Sequence, residues 1–362
     1  MTEVVLEIEG LSKYFAAGRS LFGLGATGQV KAVDDVSFSI AAGETFGLVG
    51  ESGCGKTTIA KLILRIETPT RGTIRFRGSD VSTLSGKALL DYRRNVQAVF
   101  QDPFGSLSPR MRVHDIIGEP LEVHTTKTKG EITQRVHEVL DLVGMRPEHA
   151  RLFPHEFSGG QRQRIAIARA LATDARLLVL DEAVSALDVS IRAQIITLLE
   201  QLQTELGVSY LYIGHDLATV SHLAHRVGVM YLGRLCEVGE SLSIATEPQH
   251  PYTQALFASA LPYHPDQQRA SAPVAGEVPS ALNIPTGCRF HPRCPSALEQ
   301  CSTVEPVMIE LSAGHHASCH LLGPKAAGTD RQPATGMDAA RTPEGDRPTS
   351  NGVMARGELA DQ

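Results

Sequence analysis

The chain has 362 residues, 42% hydrophobic and 20% charged, which is typical of a globular protein long enough for two domains. Its net charge of −6 means that the chain as a whole lacks the positive charge that favours nucleic-acid binding. No apolar run is long enough to predict a membrane span. The first residues, MTEVVLEIEGLSKYF, lack the pattern of a signal peptide. We therefore predict a protein in the cytosol or bound to the cytosolic face of a membrane.

The first third of the chain predicts two kinds of strand and then a helix. VVLEIEG and VKAVDDVSFSI alternate apolar and polar residues, which favours half-buried antiparallel strands. ETFGLVG is a short apolar run that predicts a buried strand ending in a loop. From Lys56 the apolar residues follow helical spacing, at Ile59, Leu62, Ile63 and Ile66. Residues 86–157 are predicted to be mostly helical, with breaks at prolines.

Residues from about 158 onward repeat this alternation. RLLVLDEAV and VSYLYIGHD predict two further buried strands, and the helix between them is predicted to end at Gly207. One face of that helix carries Ile191, Ile195, Leu198, Leu202 and Leu206. Strands that alternate with helices predict an α/β fold with a largely parallel sheet.

Composition divides the chain into three parts. We assign residues 1–245 to the α/β domain, with a helical subdomain at about 86–165. Residues 246–323 form a C-terminal extension in which proline becomes frequent and cysteines cluster. Residues 324–362 contain almost no large apolar side chains, which predicts a disordered tail.

The segment GESGCGKTT at residues 50–58 matches the phosphate-binding pattern G-x-x-x-x-G-K-[ST], between a predicted strand and a predicted helix. Its glycines let backbone N–H groups surround a phosphate, to which the helix N-terminus adds partial positive charge. We expect Lys56 to reach the β- and γ-phosphates and Thr57 to hold Mg²⁺. Cys54 is interpreted as a small loop residue rather than a redox group. The nucleotide-binding residues predicted in this segment are Gly50, Ser52, Gly53, Cys54, Gly55, Lys56, Thr57 and Thr58.

Two acids, Asp181 and Glu182, follow the second buried strand. In a nucleotide-hydrolysing protein with a phosphate loop, the first position suits a ligand of Mg²⁺ or its water. The adjacent Glu182 can act as a general base toward the attacking water. The alternative is that strand ends are acidic simply because they meet solvent.

A second helix start suited to an anion appears in FSGGQRQRIAIARALA. Ser158 can cap this helix, and Ile165, Ala168 and Leu171 lie on its inward face. A chain that already holds phosphates with residues 50–58 has no obvious use for it in the same site. The segment makes sense if it faces the γ-phosphate that another subunit binds.

Together these motifs resemble those of the ATP-binding subunits of ABC transporters, over about residues 4–245. FSGGQ resembles the signature motif of that family, with Phe157 where leucine is commoner. Its residues that would act on the other subunit's ATP are Ser158, Gly159, Gly160 and Gln161. The Q-loop glutamine, the D-loop aspartate, the switch histidine and the adenine-stacking aromatic are matched by Gln101, Asp188, His215 and Phe15.

The resemblance implies a mechanism in which two ATPase subunits close head to tail with ATP between them. Glu182 would activate water, His215 would contact the γ-phosphate, and Asp188 would couple the two sites. Gln101 would approach Mg²⁺ and relay ATP occupancy to a docked membrane partner. The Mg²⁺ ligands implied are Thr57, Gln101 and Asp181.

Three phrases, DEAVSALDVSIRAQI, QDPFGSLSPRM and HPYTQALFASALP, resemble the ATPases of oligopeptide/dipeptide importers. The insert AAGRSLFGLGATGQ resembles one of the two sister ATPases that these importers pair, and Ala183 departs from a commoner proline. The implied partners are a sister ATPase subunit, two transmembrane permeases and an extracytoplasmic peptide-binding protein, without nucleic acid. Relatives that carry nickel or glutathione leave other cargoes open, as does a soluble ABC ATPase without a transport role. The implied location is the cytoplasmic face of the cell membrane.

The cysteine cluster of the extension comprises Cys288, Cys294, Cys301 and Cys319, separated by five, six and seventeen residues. Four thiolates in a cytosolic chain indicate a tetrahedral sulfur site, either Zn²⁺ or an iron–sulfur cluster. No paired C-x₂-C knuckle is present, and Pro295 follows Cys294 as it does at ferredoxin ligands. We predict a [4Fe–4S] cluster, which some importer relatives hold in this extension, with Zn²⁺ or free thiols as alternatives. Its expected role is structural, with redox sensing as the alternative.

Overall fold

The computed structural model describes residues 3–16, 28–101, 103–259 and 276–323, apart from the side chains of residues 103 and 104. The predicted tail at residues 324–362 and most of the insert before Val30 lie outside this part. Within it, no helix combines the length and apolar character needed to cross a bilayer.

Strands and helices alternate through the described part of the chain. The strands are β1 (Val4–Ala16), β2 (Gln29–Ala41), β3 (Thr45–Val49), β4 (Arg71–Phe76), β5 (Ser79–Asp80), β6 (Val96–Phe100), β7 (Leu177–Asp181), β8 (Ser209–Ile213), β9 (Arg226–Tyr231), β10 (Arg234–Glu240), β11 (Ile309–Ser312) and β12 (His315–Ala317). The helices are α1 (Lys56–Ile63), α2 (Gly86–Asn95), α3 (Pro103–Ser106), α4 (Val113–His124), α5 (Lys129–Leu142), α6 (Gly159–Leu171), α7 (Val189–Leu206), α8 (Leu217–Leu223), α9 (Ser241–Thr246) and α10 (Pro251–Ala258).

The smaller sheet is antiparallel and has the strand order β2-β1-β4-β5. The alternating segments of the sequence form β1 and β2, so the predicted antiparallel pair is confirmed. The apolar side chains of this sheet, such as Ile8 and Ile40, are buried. Phe38 of β2 stacks on Phe46 of β3 with ring centroids 4.5 Å apart, which ties this sheet to the larger one.

The larger sheet has the order β11-β12-β10-β9-β3-β8-β7-β6. Its strands β9, β3, β8, β7 and β6 are parallel, which confirms the predicted α/β fold. Every residue of β3, β7 and β8 is buried, as expected for strands covered on both faces. Because the strands are parallel, their carboxyl ends meet at one edge, where ligands bind in such sheets.

The stretch at residues 86–157 is mostly helical as predicted, with one exception, and the prediction for the helix after Lys56 is wrong at its end. The stretch predicted to be mostly helical contains β6, whose sequence VQAVF pairs in parallel with β7. Helix α1 ends at Ile63 because the backbone turns at Arg65, which has a φ of 53°. Ile66 therefore lies beyond the helix and is 60% exposed instead of packing in the core.

The helix that follows β7 fits its prediction more closely. It begins after Asp188 and ends before Gly207. Ile195, Leu198 and Leu202 are buried on its inner face, whereas Leu206 is exposed at its end.

The C-terminal extension adds a hairpin to the edge of the larger sheet. β12 pairs antiparallel with β10 and with β11. The sequence analysis did not predict these two strands. His315, the first residue of β12, has its Nε2 2.7 Å from Oε1 of the fully buried Glu237, which joins the hairpin to β10.

Candidate functional site

The phosphate loop, defined here as residues 50–58, leads from the carboxyl end of β3 into α1. Gly55 has a φ of 114°, and a Cβ at this position would lie 2.1 Å from the carbonyl oxygen of Ala32. Only glycine fits this close approach. The backbone N–H of Gly233 donates to the carbonyl oxygen of Cys54 at 2.8 Å, which holds the loop from the other side.

Lys56 is folded over the phosphate loop and is only 6% exposed. Its Nζ donates to the carbonyl oxygens of Gly50 at 2.7 Å and Glu51 at 3.1 Å. Cys54 is buried beside it, and burial raises the pKa of the Cys54 thiol. A thiol that resists ionisation is a poor nucleophile, as expected of a residue that only fills space.

Asp181 ends β7 within reach of the loop. Its Oδ1 accepts a long hydrogen bond of 3.5 Å from Thr57 Oγ1. Burial raises the pKa of the Asp181 carboxyl, and the neighbouring charge of Glu182 raises it further, while Thr57 and Lys56 oppose the rise. Removing water from this carboxylate therefore has a free-energy cost that a bound cation would offset.

Glu182 and His215 come together from neighbouring strands. His215 Nδ1 lies 3.4 Å from Glu182 Oε1, and the histidine side chain is 57% exposed. Glu182 has a φ of 51°, an uncommon conformation for a residue with a side chain. Its backbone is fixed because its N–H donates to Ile213 at 2.9 Å and its carbonyl accepts from Ser185 Oγ at 3.0 Å.

Gln101 and Phe15 border the same edge. Gln101 is exposed directly after β6, whose last residue, Phe100, pairs with Asp181. Phe15 of β1 pairs with Val30 of β2, two residues before the Ala32 carbonyl that touches the loop. The ring of Phe15 is partly exposed, with Lys13 Nζ 4.8 Å from its centroid.

The segment predicted to be the signature motif forms the first turn of α6. Ser158 Oγ accepts from the Gln161 N–H at 3.4 Å, and Gln161 Oε1 accepts from the Ser158 N–H at 3.0 Å. This capping box leaves both side chains exposed. Gly160 is buried, and a Cβ there would lie 2.5 Å from Ile191 Cγ2. Asp188 Oδ1 accepts from the N–H of that same Ile191 at 2.9 Å, so it caps α7, which the sequence analysis did not foresee.

Family comparisons fit this arrangement. A family model described as ABC transporter matches residues 33–185. A second, described as the C-terminal region of oligopeptide/dipeptide transporters, matches residues 236–301. The oligopeptide transport ATP-binding protein AppF of Bacillus subtilis (strain 168) is 48% identical over 322 residues, 88% of this chain and 98% of that protein.

The chain belongs to the ABC transporter family. The probable peptide ABC transporter ATP-binding protein y4tS of Sinorhizobium fredii is 45% identical over 327 residues, 90% of this chain and 92% of that protein. CbiO1 from Clostridium perfringens, part of the ABC transporter complex CbiONQ, has a TM-score of 0.58 at 27% identity, over 68% of this chain and 92% of that one. The ATP-binding cassette MJ0796 was solved as a dimer in a post-hydrolysis state with ADP and Pi. It has a TM-score of 0.56 at 25% identity, over 65% of this chain and 98% of that chain. This ABC subunit is an ATPase by family and fold.

The ABC subunit also has contacts at its phosphate loop that the sequence analysis missed. Glu51 donates its backbone N–H to Tyr252 Oη at 2.9 Å. Its carboxylate accepts two hydrogen bonds from Arg293, at 2.8 Å and 3.0 Å. Nearby, Arg289 pairs with Asp34 and donates to a backbone carbonyl in the turn after β9. No local pattern could reveal these contacts, because Glu51 and Arg293 are 242 residues apart.

None of the four cysteines of the extension forms a disulfide. Burial raises the pKa of the Cys288 thiol to about 11, and the three other cysteines add to this rise. The pKa values of the Cys294 and Cys319 thiols are also raised, first by burial and then by the neighbouring cysteines. The four thiols therefore lie within electrostatic range of one another. In the part of the chain that the structure describes, however, no group of three or more His, Cys, Asp or Glu side chains could hold a metal ion. The structure thus does not support the predicted [4Fe–4S] or Zn²⁺ site, because the cysteine side chains are not arranged around a common metal position.

Proposed function

We propose that this protein is the ATP-hydrolysing subunit that energises a membrane importer of di- or oligopeptides. The observation that carries the proposal is the meeting of the phosphate loop, Asp181, Glu182 and His215 at the carboxyl ends of β3, β7 and β8. The relatives named as oligopeptide or peptide transport ATP-binding proteins support the cargo. The division into residues 1–245, a helical subdomain at about 86–165 and an extension at 246–323 is part of this proposal.

The phosphate loop binds the triphosphate of ATP. Its backbone N–H groups and the start of α1 attract the phosphates, and Lys56 exchanges its carbonyl partners for β- and γ-phosphate oxygens. Thr57 and the buried Asp181 suit Mg²⁺, since a hydroxyl and a desolvated carboxylate face each other beside the loop, with Gln101 at the neighbouring strand end. When bound, Mg²⁺ neutralises phosphate charge. Phe15 stacks on the adenine.

Hydrolysis is a direct attack of water on the γ-phosphorus. Glu182 accepts a proton from the attacking water while the water oxygen bonds to the γ-phosphorus. The bond between the γ-phosphorus and the β–γ bridging oxygen breaks, and ADP and phosphate leave. His215 contacts the γ-phosphate from its position 3.4 Å from Glu182. The fixed backbone of Glu182 means that little reorganisation is needed during reaction.

Two ATPase subunits form the complete site. The exposed capping box of Ser158 and Gln161 leaves the N-terminus of α6 open to the ATP of a sister subunit, in a head-to-tail heterodimer. Gly159 adds no side chain at this helix start, and Gly160 lets α6 pack closely on Ile191. Asp188 couples the two sites because it caps α7 at the residue that Gly160 touches.

The permeases dock in a groove of about 580 Å³ between α1, β6 and α4. Ile66, Phe100 and Val123 are exposed apolar residues along it. Gln101 follows Phe100 directly, so docking and ATP occupancy act on adjacent residues. The protein is then peripheral on the cytoplasmic face of the membrane, and an extracytoplasmic peptide-binding protein acts through the permeases.

The four extension cysteines hold a [4Fe–4S] cluster in this proposal. The proposal is supported by the effect of these cysteines on one another's thiol pKa values, which means that they lie near one another. The cluster would staple a segment with few buried apolar side chains. Anaerobic purification with iron, sulfide and zinc analysis tests this; a colourless protein with one zinc per chain would refute it.

The transport proposal is tested in proteoliposomes that contain the chain, its sister ATPase and the permeases. Labelled peptide uptake should require ATP and stop with Lys56→Ala, whereas nickel or glutathione should not be carried. Uptake of nickel or glutathione without uptake of peptide would show that the proposed peptide cargo is wrong. ATPase activity that persists with Lys56→Ala would reject the site.

A further inference from the structure

Two residues of the C-terminal extension, Tyr252 and Arg293, contact Glu51 of the phosphate loop. We call these three residues the clasp. Arg293 donates to both carboxylate oxygens of Glu51, and Tyr252 Oη accepts from the Glu51 backbone N–H. The Arg293 side chain is 7% exposed and that of Glu51 27%. A two-point, charge-assisted contact of this kind is stronger and more directional than a surface ion pair.

The extension side of the clasp is held rigidly. Arg293 also lies 3.3 Å from Tyr231 Oη, at the end of β9. The ring of Tyr231 packs on Tyr252 with centroids 4.6 Å apart, and Phe290 meets both rings at 5.4 Å. Phe290 is almost completely buried, so the extension inserts an aromatic anchor three residues before Arg293.

On the loop side of the clasp, Glu51 is also a hydrogen-bond acceptor for Lys56. The carbonyl oxygen of Glu51 accepts from Lys56 Nζ at 3.1 Å, and that of Gly50 accepts at 2.7 Å. A shift of Glu51 therefore moves both the start of the loop and the resting position of the lysine. Arg293 acts on this region through Glu51.

We propose that Arg293 is a positioning residue for ATP binding, so that the fold of the C-terminal extension and the affinity for ATP are linked. The proposal rests on the assignment of ATP to residues 50–58. Linkage is reciprocal, so ATP in turn stabilises the docked extension. Because Arg293 directly precedes Cys294, whatever orders the cysteine segment also orders the clasp.

The test measures ATP affinity and steady-state ATPase kinetics with the full chain assembled in its transporter. Arg293→Gln should raise Kd and KM for ATP about tenfold, because one charge-assisted contact to the loop is lost. Its kcat at saturating ATP should stay within about twofold, since Glu182 and His215 are untouched. Arg293→Lys should recover part of the affinity, and Arg77→Gln, which breaks an exposed pair with Glu3, should change nothing.

A double-mutant cycle separates positioning from simple anchoring. If Arg293 acts through Glu51, adding Arg293→Gln to Glu51→Gln should weaken ATP binding no further. Unchanged Kd and KM in both Arg293→Gln and Arg293→Lys, while Lys56→Ala abolishes binding, would overturn the clasp and leave the proposed function intact. A wild-type chain that binds no ATP would overturn both. If Arg293→Gln does not fold, the expected severalfold rise in KM for Arg293→Lys carries the test.

Discussion

The ATPase core and the C-terminal extension are held together by different forces. In the core, every residue of β3, β7 and β8 is buried, within clusters of aliphatic side chains. In the described part of the extension, at residues 246–259 and 276–323, the buried hydrophobic residues are only Tyr252, Phe290, Cys301 and Ala317. The extension depends instead on charged or polar contacts with the core, which include Arg289–Asp34, Arg293–Glu51, His315–Glu237 and Glu305–Arg234.

This difference has a functional consequence. Hydrophobic burial stabilises the core whether or not a ligand is bound. Docking of the extension depends on polar contacts and on the aromatic anchor Phe290, so it is more easily changed. One of those contacts is on the phosphate loop. Under the proposed linkage, ATP acts on the extension through this contact, whereas the strands that lead to Asp181 and His215 are held by hydrophobic burial.

The largest expected effect is in the core chemistry. Glu182→Gln should slow ATP hydrolysis about a hundred- to a thousandfold, since it removes the proton acceptor, and should leave ATP binding and the extension intact. Single-turnover ATPase assays measure this, with the exposed Glu205→Gln as control. Hydrolysis at the normal rate would remove Glu182 from the mechanism.

The next effect should separate the two regions by stability. Phe290→Ala removes the aromatic anchor and should destabilise docking of the extension by about 3 kcal/mol. Limited proteolysis should then cut within residues 276–323 while the core remains protected. Equal loss of protection in β3 and β8 would mean that the two regions unfold as one.

Acid should act on the junction between the regions. Burial lowers the pKa of His250 to about 4 from 6.5, so the folded protein keeps it neutral. Its contribution to stability is complete above pH 6.5 and is lost as the pH falls toward 4, because the unfolded chain binds the proton more readily.

His250→Asn tests this contribution, since asparagine can still accept from the Tyr252 N–H. The variant should lose less stability than the wild type between pH 6.5 and 4, by about 2 kcal/mol. Urea unfolding at several pH values in this range gives the slope of unfolding free energy against pH for each protein. Parallel slopes would contradict the assignment.

The smallest effect compares two helix caps. Ser158→Ala and Thr128→Ala each remove a capping box and should cost about 1 kcal/mol of unfolding free energy. Only Ser158→Ala should also lower ATPase activity, because Thr128 caps α5 away from any motif. Equal activities in the two variants would argue against a role of Ser158 in the partner's site.

The sequence predicted the core well because its signals are local. The phosphate loop is a nine-residue pattern, and the buried strands that end at Asp181 and before His215 are continuous apolar runs. The same reasoning missed β6, of which only Val96 and Val99 are buried, and the β11–β12 hairpin, which is stabilised by pairing with β10. It missed the clasp because no periodicity connects Glu51 with Arg293.

The central claim, that the phosphate loop and the extension are linked, is tested most directly by hydrogen–deuterium exchange on the full chain. ATP should slow exchange in residues 50–58 and also in residues 287–302 of the wild type. With Arg293→Gln at saturating ATP, protection should remain in the loop and disappear from the extension. An extension whose exchange is the same with and without ATP in the wild type would contradict the account.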